Sequence, residues 1–137
     1  DADIIIFMMG TNDAKPENWT NKGQFWKDYI ELLASFIKEG KNPEIYLALC
    51  TEAYYPEDVD KSTGITSFDI QPAIIDEIVE TIDMNAALTS GVCLRTIDIH
   101  SLSESHPEWF EEDGIHPNND GAKAIAEAVA EVIRQTK

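Results

Sequence analysis

Three continuous apolar segments alternate along the chain with segments whose apolar residues recur at helical spacing. The apolar segments are Asp3–Met9, Ile45–Cys50 and Val92–Asp98. Continuous rather than alternating hydrophobicity is typical of strands covered on both faces, so each segment predicts a buried strand. The third is less uniformly apolar, which favours a place at the edge of the sheet.

Each predicted strand is followed by a predicted amphipathic helix. We expect Gly40 and Gly91 to end the first two helices, because glycine is favoured just beyond a helix. Ser67 or Asp69 is expected to cap the second helix, and Asn118 or Asn119 the third. The apolar positions that set the helical period are Phe25, Tyr29, Leu32, Leu33, Phe36 and Ile37 in the first helix, Ile70, Ile74, Ile78 and Ile82 in the second, which runs on to Leu88, and Ala122, Ile125, Ala126, Val129 and Ile133 in the third.

Strand followed by helix, three times over, predicts parallel strands joined by right-handed crossovers in an α/β sandwich. Two long connections, 51–67 and 99–118, interrupt this pattern. Loops of that length in compact domains tend to be functional.

Two polar clusters are expected beyond the carboxyl ends of the strands. Gly10-Thr11-Asn12-Asp13 follows the first strand, and Glu111 to Asn119 precedes the last helix. Ligands of parallel sheets bind at this rim, so clusters about a hundred residues apart can share one site.

The second cluster places a carboxylate and an imidazole three residues apart, at Asp113 and His116. Pro117 disfavours helical geometry at His116, and Gly114 relaxes the turn, so Asp113 can fold back onto the ring. A carboxylate on one ring nitrogen fixes the tautomer and stabilises the imidazolium when the other nitrogen takes a proton. Taken alone, the pattern equally fits a loop that ends in a helix cap.

Charge and length narrow the possible functions. The 137 residues carry 10 Lys and Arg against 26 Asp and Glu, a net charge of −16, which argues against nucleic acid or an anionic membrane as partner. No apolar run is long enough to span a bilayer, and the first residues do not show a basic segment followed by an apolar one. It starts at Asp1 rather than Met, so we expect that residue 1 is not the natural start of translation. Cys50 and Cys93 lie in apolar runs and are expected to be buried free thiols.

The two polar clusters together resemble the third and fifth sequence blocks of the SGNH hydrolases, also called the GDSL esterase family. The resemblance implies a three-layer α/β/α flavodoxin-like fold and ester hydrolysis by a Ser-His-Asp triad, without a metal or other cofactor. It makes His116 the general base, Asp113 its orienting carboxylate and Asn12 an oxyanion donor, with Gly10 allowing the turn that aims Asn12.

The sequence after Asn12, which contains Lys15-Pro16 and Asn18-Trp19, looks most like that of bacterial carbohydrate esterases that remove acetyl groups. An acetylated carbohydrate is then the expected substrate, and a secreted or periplasmic location is compatible with the family.

The chain departs from the family pattern in two respects. The additional glycine before the third block, which supplies a second oxyanion donor in the family, is missing, and so is the nucleophile block. The family's nucleophile is a serine in a Gly-Asp-Ser block after an earlier strand, and none of the seven serines here follows Gly or Asp. We therefore interpret residues 1–137 as the carboxyl-terminal part of a single SGNH hydrolase domain, inactive alone. The first strand should then have a bare edge that pairs with the missing amino-terminal segment or with a second copy. The alternative is a non-enzymatic module that binds a ligand or a partner.

Aromatic residues in the predicted loops have two interpretations. Tyr54, Tyr55 and Trp109 could form a substrate rim that stacks on a sugar, or could seal loops onto the core. For Trp19 packing near the first helix is favoured, and for Asp13 a capping or loop role.

A metal site is a minor alternative. His100 and His106 could join Asp113 and His116, since imidazole and carboxylate suit zinc, but the spacing matches no compact motif.

Overall fold

The central sheet has three parallel strands in the order β1-β2-β3. A computed structural model describes residues 2–88 and 94–136, with β1 at Ile4–Phe7, β2 at Glu44–Ala48 and β3 at Leu94–Ile97. Ile5 pairs with Ile45, which pairs with Leu94 on its other side. The predicted parallel α/β arrangement is confirmed, although each strand is shorter than its apolar run; Val92 and Cys93 lie outside the described residues.

The described part of the chain contains four α-helices: α1 at Lys22–Ser35, α2 at Pro72–Leu88, the short α3 at Ile99–Ser103 and α4 at Asn119–Gln135. None of the helices in 2–88 and 94–136 has the length and apolar character needed to cross a membrane.

Helices cover both faces of β2, which gives three layers. Ile45 and Leu47 pack with α1 and α2, where Ile78 and Ile82 are fully buried. Tyr46 and Ala48 point to the opposite face and pack against α4. Because residues 45–50 are all buried, β2 is continuously apolar, as the sequence predicted. The three-layer α/β/α fold is confirmed.

Strand β1 lies at one edge of the sheet, and its cover is incomplete. Phe7 is buried, but Ile6, Met8 and Met9 keep 47%, 42% and 47% of their surface exposed. The expectation that this segment is covered on both faces is therefore wrong at Ile6, Met8 and Met9. Among the described strands only β2 pairs with β1, which leaves the expected apolar edge. At the other edge lies β3, as predicted.

Two helix boundaries differ from the predictions. Helix α1 ends at Ser35 rather than at Gly40, because the N–H of Phe36 bonds the carbonyl of Leu33 and the chain leaves the helix there. Helix α2 begins at Pro72, whose fixed φ suits a first helical position. Neither Ser67 nor Asp69 caps it, and Asp69 has a φ of 58° in the turn before it.

The connections also hold more regular structure than the sequence suggested. Residues 99–103 form α3 because Asp98 caps it, accepting a hydrogen bond from Ser101 N–H at 2.9 Å. Asn118 caps α4 as predicted, with Oδ1 accepting from Asp120 and Gly121 N–H. On α4 the packed face includes Ala128 and Val132, while Ala122 and Ala126 are exposed, so the predicted face was partly wrong. Gly91 lies outside the described residues.

Candidate active site

A tight turn follows β1 and carries the first polar cluster. Gly10 has a φ of 132°, and a Cβ there would lie 2.8 Å from Ile78 Cγ2 and 3.0 Å from Cys50 Sγ. Residues Thr11–Ala14 form one 3₁₀ turn, in which Asp13 N–H donates to the Gly10 carbonyl at 2.9 Å. Only glycine fits this buried, left-handed position, which brings the chain sharply out of the sheet.

Asn12 stands exposed on this turn. Its carbonyl accepts a hydrogen bond from Asn18 Nδ2 at 2.7 Å. Two residues later the carbonyl of Ala14 accepts from Gln71 N–H at 2.9 Å, at the start of α2. The turn is thus held to two other segments, at Asn12 itself and at Ala14. Burial raises the pKa of Asp13, with Asp28 adding to the rise.

The second cluster forms a compact non-helical loop around Asp113. One carboxylate oxygen accepts the backbone N–H groups of Ile115 and His116, at 2.8 and 2.9 Å. The other lies 2.8 Å from Nδ1 of His116. The predicted contact between Asp113 and His116 is therefore present, and Nδ1–H donates to the carboxylate when Nε2 is left free to accept a proton.

The electrostatics of the loop keep Asp113 ionised. Burial would raise the pKa of this carboxyl, but hydrogen bonds from the N–H groups of His116 and Ile115 and from the His116 ring outweigh it. The net pKa is below the ordinary value of 3.8. A carboxylate that stays charged above its lowered pKa therefore fixes the tautomer of the His116 ring.

Gly114 anchors this loop to the segment that follows β2. Its carbonyl accepts from Tyr54 N–H at 2.8 Å, and its φ is 72°. A Cβ on Gly114 would collide with the Tyr54 carbonyl. The close approach of two backbones therefore requires glycine here.

The two clusters lie on the same rim of the sheet. Cys50, two residues beyond the end of β2, donates its Sγ–H to the carbonyl of Met9 at 3.2 Å, and Tyr54, four residues further, donates its N–H to the Gly114 carbonyl. Near the start of α2, Phe68 presents its ring edge-on to His116 with centroids 5.9 Å apart. Contacts made by residues 50–54 and 66–71 thus connect the two clusters, although they lie about a hundred residues apart in the sequence.

An open acidic cleft adjoins Asp113. Its volume is about 720 Å³, and its lining residues are Pro56, Glu57, Asp58, Ser67, Glu112 and Asp113. His116 is open to solvent, with 68% of its side chain exposed.

Two of the aromatic residues suggested for the substrate rim, Tyr54 and Trp109, contact other parts of the protein. The Tyr54 hydroxyl lies 2.5 and 2.6 Å from the carbonyls of Ser103 and Glu104. Trp109 stacks on His106, with centroids 3.7 Å apart and planes 5° apart. Both contacts brace the 103–110 connection; Tyr55 is half-buried in the loop after β2. Trp19 packs on Phe25 of α1, as the sequence favoured.

Sequence reasoning missed one group of side chains whose potential ligand atoms lie close together. His100 lies with Glu52 and Asp76, with one potential ligand atom from each residue within 4.8 Å of the others. His106 instead pairs with Glu108 at 2.7 Å. Grouping His100 with His106 was therefore wrong. Glu52 closely follows β2 and His100 closely follows β3. This shared position beyond strand ends is the sequence signal that could have indicated that the two side chains lie together.

Three parallel strands between two helical layers, with polar side chains gathered beyond the strand ends, define an α/β/α protein whose chemistry is expected on one rim. The chain belongs to the GDSL-like lipase/acylhydrolase family, whose model matches residues 1–129.

Its relatives include a curated esterase. The chain is 31% identical over 149 residues to an acetylxylan esterase of Xylanibacter ruminicola, a match that covers 96% of this chain and 28% of that protein. The chain therefore spans little more than a quarter of that relative.

Two solved structures show the same fold. A carbohydrate esterase family 3 protein from Talaromyces cellulolyticus matches with a TM-score of 0.71 and 18% identity, over 98% of this chain and 58% of that one. A lipolytic G-D-S-L family protein from Veillonella parvula DSM 2008 matches with a TM-score of 0.59 and 20% identity, over 96% and 65%.

Proposed function

We propose that the protein carrying this chain is a serine esterase that removes acetyl groups from carbohydrate. The observation that carries the proposal is the 2.8 Å contact between His116 Nδ1 and Asp113 in a loop pinned to the rim. The family match and the acetylxylan esterase relative support both the reaction and the substrate class.

In this proposal His116 is the general base and then the general acid. With Nδ1–H held by Asp113, Nε2 takes the proton of a serine hydroxyl as that oxygen attacks the ester carbonyl. The same proton then passes to the leaving alcohol, and water hydrolyses the acyl-enzyme by the reverse sequence. Asp113 is a positioning residue that stabilises the imidazolium without taking the proton.

Asn12 is the proposed oxyanion donor. The Gly10 turn exposes Asn12 on the rim that also carries His116, where a side-chain amide could donate to the developing negative charge. Removal of one such donor costs about 3 to 4 kcal/mol of transition-state stabilisation.

The nucleophile is proposed to lie outside this chain, in the segment that would complete the domain. Residues 1–137 then form the carboxyl-terminal part of a single SGNH hydrolase domain. The edge of β1 supports this, because an apolar groove of about 530 Å³ runs along it, lined by residues 4–9 together with Ala2 and Phe36. An unpaired parallel edge of this kind favours pairing with another strand. We propose that the strand pairing with β1 brings the serine to the rim, and that a second copy occupies the edge when that strand is lacking.

The acidic cleft supports a neutral or cationic substrate. Glu57, Asp58 and Glu112 add negative charge beside Asp113, which disfavours an anionic sugar. Acetylated neutral carbohydrate meets this condition.

Hydrolysis of p-nitrophenyl acetate and of acetylated xylan by the intact protein tests the proposal. His116→Ala should reduce kcat/KM by at least about 10³-fold, since it removes the base. His106→Ala is the matched control, because His106 also pairs with a carboxylate at 2.7 Å, on a different loop. Full activity of His116→Ala would show that the base is assigned wrongly.

Ser67 supplies a second test, because it lines the cleft beside Asp113. Ser67→Ala should retain activity, and residues 1–137 alone should hydrolyse the ester no faster than free imidazole does. Loss of activity in Ser67→Ala, with the fold intact, would place the nucleophile in this chain and overturn the assignment. An inactive intact protein would favour a non-enzymatic module.

A further inference from the structure

We propose that Glu52, Asp76 and His100 form a binding site for a divalent transition-metal ion of the zinc class. This site is separate from the pair of Asp113 and His116. The three side chains come from three elements: the segment after β2, helix α2 and helix α3.

The orientation of His100 is the first observation. Its Nδ1 lies 3.2 Å from the carbonyl of Cys50, and because a carbonyl only accepts, Nδ1 carries the proton in that contact. In the neutral ring Nε2 then presents a lone pair toward the two carboxylates. A histidine that ligates metal typically donates its other N–H to a backbone carbonyl or carboxylate in this way.

The distances are the second observation. His100 Nε2 lies 3.3 Å from Asp76 Oδ1 and 3.8 Å from Glu52 Oε2. A direct charge-assisted hydrogen bond would bring such atoms to about 2.7 to 2.9 Å. Ligands about 2.0 to 2.1 Å from a tetrahedral zinc ion are about 3.3 Å apart. The separation of His100 and Asp76 therefore suits an ion between the groups better than a direct ion pair, and Glu52 Oε2, at 3.8 Å from Nε2, lies slightly further away.

Two of the three ligands are held in place before any ion binds. The side chains of His100 and Glu52 are only 15% and 17% exposed. Glu52 Oε1 accepts from Ala53 N–H at 2.9 Å, which leaves Oε2 for the cluster, while Glu52 N–H donates to Ser103 Oγ at 2.9 Å. Asp76 is 63% exposed and gives the site its opening to solvent.

Charge and donor type define the ion. Two carboxylates facing one imidazole lone pair form a negative site that a dication would neutralise. A nitrogen donor with two oxygen donors favours zinc and its first-row neighbours over Ca²⁺ and Mg²⁺, which prefer oxygen alone.

The site would also brace the proposed catalytic loop. Glu52 lies two residues before Tyr54, whose N–H holds the carbonyl of Gly114. An ion bound here would thus tie the segment that anchors the Asp113 loop to α2 and α3.

Isothermal titration of the metal-free intact protein with Zn²⁺, and separately with Ca²⁺, tests the inference. Zn²⁺ should bind with one ion per chain and raise Tm, and Ca²⁺ should not compete at equal concentration. His100→Gln and Asp76→Asn should each weaken Zn²⁺ binding by at least about tenfold, since each removes a ligand. His106→Gln and His116→Gln should bind Zn²⁺ as the unmodified protein does.

Absence of Zn²⁺ binding, or equal binding by His100→Gln, would overturn the inference. Binding that is lost in His116→Gln would place the ion on the Asp113 pair instead and would also overturn it. Asp76 is largely exposed, so Asp76→Asn keeps the test decisive if His100→Gln does not fold. Because the readout is binding, its failure is distinguishable from failure of the esterase proposal.

Discussion

Replacing Asp113 by asparagine isolates what the carboxylate does for His116. An asparagine Oδ1 can still accept the N–H groups of Ile115 and His116, which now lie 2.8 and 2.9 Å from the carboxylate. The side-chain amide then faces Nδ1 of His116, where the second carboxylate oxygen lies at 2.8 Å. Since an amide N–H only donates, Nδ1 must accept, and the ring proton moves to Nε2. The base would be blocked while its loop stays folded.

The structure sets the size of the two effects. Because two of the three hydrogen bonds survive, the free energy of unfolding should fall by only about 1 kcal/mol. In a Ser-His-Asp triad the wrong tautomer lowers kcat by about 10⁴-fold, which corresponds to about 5.5 kcal/mol. The His116 ring is 68% exposed and free to turn, so we expect a loss between about 10² and 10⁴-fold.

Two measurements check this prediction. Ester hydrolysis by the intact protein gives kcat/KM, and ¹⁵N NMR of the imidazole reports which ring nitrogen carries the proton. Glu111→Gln makes the same change of charge two residues away, at an exposed residue that does not line the cleft, and should leave both readouts unchanged. The reasoning is refuted if Asp113→Asn stays within about threefold of the unmodified protein, or if Nδ1 keeps its proton.

Three further predictions concern stability. Gly114→Ala should lower the free energy of unfolding, measured in urea, by clearly more than Gly40→Ala. Both glycines have positive φ, at 72° and 76°, and this left-handed geometry alone costs an alanine about 1 to 2 kcal/mol. Of the two, only Gly114 lies where an added Cβ would meet another backbone. Equal losses would contradict the assigned contact with Tyr54. Asn118→Ala should lower the free energy of unfolding by about 1 to 2 kcal/mol, because it removes the cap of α4. Asn119→Ala should lower it by less than about 0.5 kcal/mol. The reverse order would assign the cap to Asn119. Because the folded pKa of Asp113 lies below 3.8, its contribution to stability is present above that pH and lost as pH falls through the lowered value. Urea unfolding at several pH values should therefore show the unmodified protein and Asp113→Asn converging in acid, and a constant difference would exclude this linkage.

The sequence predicts the layered architecture well because the signals are local and agree. The continuous apolar run at 45–50 reflects a strand buried on both faces, and the isoleucines from Ile70 to Ile82 mark the core side of α2. The end of α1 was misplaced because Phe36 and Ile37 continue the apolar period after the helix has stopped. Hydrophobic spacing records which residues face the core and does not record where backbone hydrogen bonding ends.

In the candidate site, too, contacts within one loop could be predicted from the sequence, and contacts between distant elements could not. The contact between Asp113 and His116 could be predicted because it spans three residues of one loop. The grouping of His100 with Glu52 and Asp76 could not, since it depends on how α2 and α3 approach the segment after β2. Likewise, Tyr54 packs onto residues 103–106 because of the course that its loop takes, and hydrophobic spacing does not predict the course of a loop.

The short sequence distance between carboxylate and imidazole has a consequence for how this protein can fail. Four consecutive residues, Asp113 to His116, build the proposed proton-handling unit, so damage elsewhere in the molecule would leave that unit correctly assembled but displaced from its target. Variants far from the rim should accordingly lose turnover through misalignment of intact parts, and slight shifts of the 111–117 loop should matter more than any change in its internal geometry.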